Sequence, residues 1–169
     1  MSETENVNED ARWDEEITSL LADLSDVQQE ILDHLAEKRE LLCKGDLDGL
    51  SGQQDREAGL VARLEACHRR RQDLLERARV DGRRAGSLQQ LSSTLDAADR
   101  QRISPSLTKA ASRARLLRHH SLTNWVLAQR HLIHVSYLIE ILATGGKPRP
   151  TYGKGSSAHD SGALVDQAV

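Results

Sequence analysis

Apolar residues recur every three or four positions along most of this chain, which is the spacing of one face of an α-helix and not of a β-strand. The longest stripe lies between residues 105 and 143, a segment with no glycine and no internal proline. When this segment is followed in alternating steps of four and three, nine of eleven positions are apolar, as in a helix packed along a coiled-coil-like seam. The positions are Leu107, Ala111, Ala114, Arg118, Ser121, Trp125, Ala128, Leu132, Val135, Ile139 and Leu142. Such a helix spans roughly 58 Å, so neighbours of similar length are needed to cover it.

The seam changes character along this segment. Its first half carries small residues, among them Ala110, Ala111 and Ala114, which let a neighbouring backbone come close. Its second half is broad and bulky, which favours a surface for a partner helix. The residues of that wider face are Leu132, Val135, Leu138, Ile139 and Leu142.

Three further helices precede this segment. A stripe of Leu, Ile and Val predicts the first at residues 11–44, with His34 and Lys38 expected at the edge of the stripe. Gly45 is a natural stop and Asp46 a natural N-cap for a second helix at residues 47–80, which its glycines weaken by about 1 kcal/mol each. A short helix at residues 88–98 then leads to the long one, for which Pro105 is the start signal.

The pattern therefore predicts an all-α fold, an elongated antiparallel bundle of three long helices with one short connecting helix and coiled-coil-like packing. Residues 1–10 are acidic and carry no period, so we expect them to be disordered. Residues 11–144 make up the predicted helical bundle domain. Residues 145–169 are rich in Gly, Ser and Pro, which is typical of a flexible tail.

The composition agrees with paired long helices. Only 2% of the 169 residues are aromatic and none is Phe, so any core is thin. Cys43 and Cys67 fall too far apart in a hairpin of helices to form a disulfide, and are expected to be free thiols. No apolar run is long enough for a membrane span, and the acidic N-terminus is unlike a signal peptide, so we expect a cytoplasmic protein.

The formal net charge of −3 hides a strong asymmetry. Residues 1–60 hold 17 acidic and 5 basic side chains, whereas residues 61–150 hold 7 acidic and 17 basic. The simplest explanation is that the acidic and the basic segments face each other inside one bundle.

Groups that could carry chemistry are few. His119, His120, His131 and His134 could form a metal patch, but no cysteine or carboxylate accompanies them at ligand spacing, so edge histidines are the favoured interpretation. No phosphate-binding loop, nucleophile elbow or zinc-protease motif is present. We therefore expect neither an enzyme nor a cofactor or metal.

Two features point instead to binding. The arginines at positions 69–71, 77, 79, 83 and 84 could contact nucleic acid, although pairing with the acidic first helix is favoured because no aromatic residue is interleaved for base stacking. Trp125 is interpreted as a core residue. Tyr152 lies in a Gly-rich tail with no core to fill, so contact with a partner is at least as well supported as idle exposure.

Several short motifs in this chain resemble those of a known protein family. They are Glu37-Lys38-Arg39-Glu40-Leu41-Leu42, the link Lys44-Gly45-Asp46-Leu47, Leu64-Glu65 followed by Arg71 and Leu74-Leu75, Asn124 within a Leu-rich row, Thr151-Tyr152-Gly153 with Gly155, and Asp166 to Ala168. In this arrangement the chain resembles the FlgN family of flagellar export chaperones from about residue 11 to its C-terminus. It departs from the family at Ser121, where many members have a second Asn, and at Arg56-Glu57, where they favour Lys-Glu.

The resemblance implies a chaperone that binds the hook-associated proteins FlgK and FlgL before secretion and delivers them to the gate of the flagellar type III secretion system. By resemblance, Tyr152 is a candidate for docking to the export gate. The candidate substrate-binding residues are Asn124, Trp125, Leu132, Val135, Leu138, Ile139, Leu142, Leu164 and Val165. The alternatives are a structural coiled-coil protein that self-associates and a basic-surface nucleic-acid-binding protein. The pattern is compatible with a monomer or a homodimer.

Overall fold

A computed structural model describes the backbone of residues 2–83 and 85–144, and the side chains of residues 12–83 and 85–143. The predicted all-α fold is confirmed, since these ranges contain helices and no strand. The helices are α1 (Ser2–Lys44), α2 (Leu47–Gly52), α3 (Gln54–Val80), α4 (Leu88–Ser93) and α5 (Ala97–Thr144). The chain divides into two units, residues 1–130 and residues 131–169, which we call the body and the terminal unit.

A ladder of ion pairs joins α1 to α3 in the body. Four carboxylates of α1, spaced by seven residues, meet four arginines of α3 with the same spacing. The rungs are Glu16 with Arg77, Asp23 with Arg70 at 2.7 Å, Glu30 with Arg63 at 2.5 Å, and Glu37 with Arg56 at 2.7 Å. Because each step of seven forward along α1 is a step of seven back along α3, the two helices are antiparallel and in constant register. The expected facing of acidic and basic segments is confirmed.

Within the body, α5 runs in the same direction as α1. Asp14 pairs with Arg102, the carbonyl oxygen of Ser25 accepts a hydrogen bond from Arg113 at 2.8 Å, and the carbonyl oxygen of Leu35 accepts one from Asn124 at 2.8 Å. The residue numbers on both helices rise together along this contact. The body is therefore an up-down-up arrangement of three long helices, as predicted.

The hydrophobic core lies where the first half of α1 meets the second half of α3. Ile17, Leu20 and Leu74 are fully buried there, together with Trp13 and Ala78. Helix α4 and the start of α5 cover this cluster with Leu88, Leu91, Leu95 and Ile103. Helix α4 is thus a lid on the core and not only a connection.

The turn after α1 has the predicted chemistry. Gly45 has a φ of 67°, and its neighbour Asp46 accepts a hydrogen bond from the backbone N–H of Gly49 at 2.9 Å. A Cβ at Gly49 would lie 2.8 Å from the side chains of both Asp46 and Leu41, so a larger residue at this position would require these side chains to shift. The helix predicted over residues 47–80 is interrupted near its start, because α2 ends at Gly52 and α3 begins at Gln54. Glycines in the first turns make this the weakest part of the segment.

The other helix ends also differ from the predictions. Helix α1 begins at Ser2, nine residues before the predicted start. Helix α4 ends at Ser93, and α5 begins at Ala97, where Asp96 accepts a hydrogen bond from the N–H of Asp99 at 2.8 Å. Pro105 lies inside α5, so it is not the start signal. The division of the chain at residues 10 and 144 into tails and a bundle domain stays a prediction.

The face of α5 that packs in the body lies one position earlier than predicted. After Leu107 the predicted stripe is exposed at Ala111, Ala114, Arg118, Ser121 and Trp125. The covered stripe is Ile103, Leu107, Ala110, Arg113, Leu117, His120, Asn124 and Leu127. Three of these positions are polar and contact α1. The spacing of apolar residues alone therefore predicts the neighbouring row as the packed face. Trp125 is 61% exposed, so its interpretation as a core residue is wrong.

His34 is buried, not at the edge of its stripe. The side chain is 1% exposed, and neither ring nitrogen has a hydrogen-bond partner among the described residues. Its Nε2 lies 3.7 Å from a carboxylate oxygen of Glu57, which is too long for a hydrogen bond. Glu57 instead accepts a hydrogen bond of 2.6 Å from Lys38, which lowers the pKa of Glu57. Both cysteines are free, Cys43 exposed and Cys67 half-buried.

We expect Arg77→Gln to lower the free energy of unfolding by about 1 kcal/mol, measured by urea denaturation at pH 7. Arg77 pairs with Glu16 and also lies over the ring of Trp13, 5.6 Å from its centroid, so two contacts are lost. Arg79→Gln is the matched control because Arg79 pairs with Glu76 within α3. Equal losses in the two variants would contradict a role for the interhelical pair.

The same pair makes stability depend on pH. The hydrogen bond from Arg77 lowers the pKa of Glu16 from its ordinary value near 4.5. A carboxylate whose pKa is lowered by folding stabilises the protein above the unfolded pKa, and this contribution disappears as pH falls through the folded pKa. We expect the difference in stability between wild type and Arg77→Gln to shrink progressively below about pH 4.5. A difference that stays constant down to pH 2 would contradict this.

We expect His34→Leu to raise the free energy of unfolding by about 1 kcal/mol or more, because it replaces a buried polar ring without hydrogen bonds by an apolar side chain. Thermal and urea denaturation measure the change. His68→Leu, at an exposed position of α3, is the control and should leave stability nearly unchanged. Destabilisation by His34→Leu would show that the ring has a favourable role in the native state.

Candidate binding surfaces

The helix of the terminal unit exposes every described side chain, from His131 to Ala143. Eight of these thirteen residues are large and apolar, with exposed fractions from 37% for Ile141 to 82% for Leu142. A helix that is apolar on all sides is normally buried. Exposed apolar surface of this kind is typical of an interaction site.

The apolar side chains of the terminal unit fall on two faces, because successive helical residues turn by about 100°. The first, which we call face A, comprises Leu132, Val135, Leu138, Ile139 and Leu142, with His131 at its N-terminal end. The second, face B, comprises Ile133, Tyr137 and Ile141. His134 separates the two faces on one side, and Ser136 and Glu140 separate them on the other.

Face A contains five of the predicted substrate-binding residues, so the helix places all five side by side. Their role in binding substrate stays a prediction. Face B was not predicted, because its residues lie outside the single seam that the spacing of three and four defines. The available signal was the density of large apolar residues on both sides of that seam.

The body has its own open cleft of about 560 Å³, between the second half of α1, helix α2, the start of α3 and α5. Its apolar lining is Leu35, Leu42, Leu47, Leu50, Trp125 and Ala128. Leu47 and Trp125 are 76% and 61% exposed. Trp125 is therefore accessible to a partner, and its predicted role in substrate binding stays open to test.

Asn124, the other predicted substrate residue in the body, is 5% exposed. Its amide nitrogen donates to the carbonyl oxygen of Leu35 at 2.8 Å, and its amide oxygen accepts from Arg39 at 3.4 Å. Arg39 also contacts Nδ1 of His120 at 2.5 Å. These contacts join α5 to α1, so Asn124 has a structural role in the body, and contact with substrate stays a prediction.

The arginine-rich segment of α3 is largely occupied by ion pairs. Arg70 and Arg77 pair with carboxylates of α1, whereas Arg69 and Arg79 pair with Glu65 and Glu76 within α3. Arg83 donates to the hydroxyl oxygen of Thr94 at 3.2 Å. These pairs neutralise much of the positive field that binding to phosphates would require.

The candidate histidines are placed separately. The rings of His119 and His120 meet edge to face at 5.8 Å in the body, and His131 and His134 are exposed in the terminal unit. Across residues 2–83 and 85–144, no group of three or more His, Cys, Asp or Glu side chains could hold a metal ion. Over the same ranges, no helix is both long and apolar enough to cross a membrane.

Tyr152, Leu164 and Val165 lie outside the described residues. Their predicted roles at the export gate and in substrate binding therefore rest on sequence.

Comparison with known proteins supplies the family. No curated protein and no solved structure matches the chain. A family model described as "FlgN protein" matches residues 13–160, which cover α1 through α5 from Trp13 onward and most of the C-terminal segment. FlgN proteins are a family of chaperones associated with flagellar export. The chain therefore belongs to the FlgN family.

Proposed function

We propose that this protein is an export chaperone of the flagellar type III secretion system, which binds hook-associated proteins of the FlgK and FlgL type before secretion. The observation that carries the proposal is face A, five adjacent aliphatic side chains exposed on the helix of the terminal unit. Membership of the FlgN family supports a flagellar export substrate as the partner.

A substrate segment that forms an amphipathic helix is the occupant that face A suits best. An apolar stripe of the substrate would lie along the stripe Leu132, Val135 and Ile139, as in helix-in-groove recognition. Burial of each exposed side chain contributes roughly 1 to 2 kcal/mol. Such contacts hold an unfolded or partly folded substrate without a nucleotide, and release requires only that another surface compete for the same stripe.

Leu164, Val165 and Asn124 are assigned to the same task by resemblance, and Trp125 by its exposure in the body. We propose that Tyr152 docks the loaded chaperone to the export gate. The protein acts in the cytoplasm in this proposal, with no cofactor and no catalytic group.

We expect Val135→Asp with Ile139→Asp to weaken retention of the C-terminal segment of a hook-associated protein by at least about a hundredfold, because two apolar contacts are lost and two charges must be desolvated. Pull-down or calorimetry with the full chain measures this. His134→Asp with Ser136→Asp is the matched control, since it adds the same charge to the same turns outside face A. Circular dichroism checks that helix content is unchanged in both variants.

Unchanged affinity in the face A variant would overturn the proposed surface. Equal weakening in both variants would show that charge, and not the apolar face, controls binding.

We expect Tyr152→Ala to leave substrate retention unchanged but to reduce secretion of hook-associated proteins, because only delivery to the gate is affected. Tyr152→Phe separates the ring from the hydroxyl group. Secretion in cells and pull-down in vitro are compared for the same variants. Normal secretion by Tyr152→Ala would remove Tyr152 from the docking site.

The second candidate is a structural helical protein that self-associates, which the apolar surface on all sides of the terminal helix also favours. Sedimentation distinguishes the two candidates. A tight homodimer that ignores export substrates supports the second, whereas a chain that binds hook-associated proteins as a monomer supports the first.

A further inference from the structure

The outer side of α5 in the body carries a second seam, which we call the outer seam. It comprises Arg115, His119, Leu122, Val126 and Gln129, in alternating steps of four and three. Each of these residues follows a member of the covered stripe by two positions, which is about 200° around a helix. The outer seam therefore lies opposite the stripe that contacts α1. All five residues are exposed, and together they span about 21 Å of helix.

The centre of the outer seam is apolar. Leu122 and Val126 lie one turn apart and are 56% and 41% exposed. Exposed apolar side chains are common on protein surfaces, so this pair alone does not indicate a partner. The charges around the pair supply the second observation.

The charges of α5 have one sign over most of its length in the body. Residues 100–130 hold six arginines and one lysine but no aspartate or glutamate, although acidic residues outnumber basic ones by 26 to 23 in the whole chain. Helices α1 and α3 instead mix both signs, and they contain ion pairs of their own, such as Arg12 with Glu16 and Arg69 with Glu65. Mixed charges are typical of a solvated helix surface. The outer side of α5 lacks this compensation.

Three of the arginines surround the apolar centre. Arg115 belongs to the outer seam, and Arg118 and Arg130 flank it on opposite sides, about 60° from its midline. Arg115 donates a hydrogen bond to the hydroxyl oxygen of Ser112 at 3.0 Å. Within the part of the chain whose side chains the structure describes, no carboxylate pairs with any of the three arginines, whereas Arg102 of the same helix pairs with Asp14. The outer seam is thus an apolar centre bordered by uncompensated positive charge.

Three other classes of occupant suit this surface poorly. Two copies of the outer seam laid against each other would bring arginines against arginines, which is unfavourable. A membrane surface requires a broad apolar face, and the outer seam offers two aliphatic side chains and no aromatic one. Nucleic acid would contact the arginines through its phosphates, but it would leave the apolar centre unmatched and would find no aromatic ring for stacking.

An acidic amphipathic helix matches both features of the outer seam. Its apolar stripe, with a spacing of three and four, would lie on Leu122 and Val126. Aspartate or glutamate on both sides of that stripe would pair with Arg115, Arg118 and Arg130. Opposite charges across an interface speed association and exclude partners of the wrong sign.

We propose that the outer seam of α5 binds an acidic amphipathic helix of a partner protein, with Leu122 and Val126 as the apolar contacts and the three arginines as the charged contacts. This inference does not rest on the proposed function of face A, because the two surfaces share no residue. It gives the body a binding role of its own.

A designed peptide tests the proposal. The probe has three repeats of Leu-Ala-Ala-Leu-Glu-Lys-Glu, which place glutamate on both sides of an apolar stripe, and the control peptide has three repeats of Leu-Ala-Ala-Leu-Lys-Glu-Lys. Each carries a fluorescent label and is titrated with the full chain, followed by anisotropy. Val135→Asp and Ile139→Asp are present in every protein, so that face A does not bind the peptide and its failure is tested separately.

We expect the acidic peptide to bind and the basic peptide not to bind. Arg115→Gln with Arg118→Gln should weaken binding of the acidic peptide at least about fivefold, because two ion pairs are lost. Arg69→Gln with Arg71→Gln is the matched control, since it removes the same charge from exposed positions of α3, and should change affinity less than about twofold.

A second variant tests the apolar centre. Leu122→Gln with Val126→Gln should weaken binding of the acidic peptide at least about tenfold, because two apolar side chains are no longer buried by the peptide. Circular dichroism checks that helix content is unchanged in each variant.

Equal binding of the two peptides would overturn the proposal, as would equal weakening by the substitutions in α5 and in α3. Vesicles of equal parts phosphatidylcholine and phosphatidylglycerol, and a single-stranded oligothymidylate, are titrated at the same salt concentration. Tighter binding of either than of the acidic peptide would also overturn the proposal, and would assign the outer seam to a membrane or to nucleic acid.

Discussion

The register between α1 and α3 is the constraint on which the body depends. Four carboxylates and four arginines repeat with the same seven-residue spacing in opposite directions, so all four pairs form together in one register of the two helices. A slip of the helices by a few residues would break all four. Exposed ion pairs add little stability individually. Their value here is specificity, because a slip of fewer than seven residues would separate these charges. A slip of one full heptad would keep three rungs, and the tight turn at Gly45 and Asp46 excludes it.

This arrangement explains how a chain with so few aromatic residues forms a bundle. Most of the buried apolar side chains lie near one end, and farther along α1 the polar side chains of His34, Gln28 and Asn124 are buried beside Val27 and Leu42. Hydrogen bonds from Asn124 to Leu35 and from Gln28 to the carbonyl oxygen of Ala110 then hold α5 against α1. Many large apolar residues of the chain are exposed in the terminal unit and do not contribute to this core.

The sequence was sufficient to predict the helical class, the antiparallel pairing of the first two long helices and the turn at Gly45, because each depends on local chemistry or on net charge. The sequence was insufficient to predict which face of α5 packs against α1. Arg113, His120 and Asn124 occupy that face, and their hydrogen bonds to α1 cannot be read from hydrophobicity. The start of α5 was misplaced for a similar reason, since Asp96 is as good a cap as Ser104. The seven-residue repeat of arginines at 56, 63, 70 and 77 is present in the sequence, but the other arginines at 69, 71 and 79 obscure it. The bulky residues of face A were predicted because four of them continue the seam of alternating three- and four-residue steps and Leu138 lies beside it.

The chemistry of face A has a consequence for selectivity. Its five members are Leu, Val and Ile, which offer no ring to stack on and no polar atom that must be matched. Rejection of a wrong partner usually comes from a buried polar group left without its counterpart. A purely aliphatic stripe lacks that penalty. Helices of quite different sequence therefore fit it equally well when their apolar residues recur every three or four positions. Under the proposed function, face A is thereby suited to several substrates, and discrimination among them is left to the protein that receives them next.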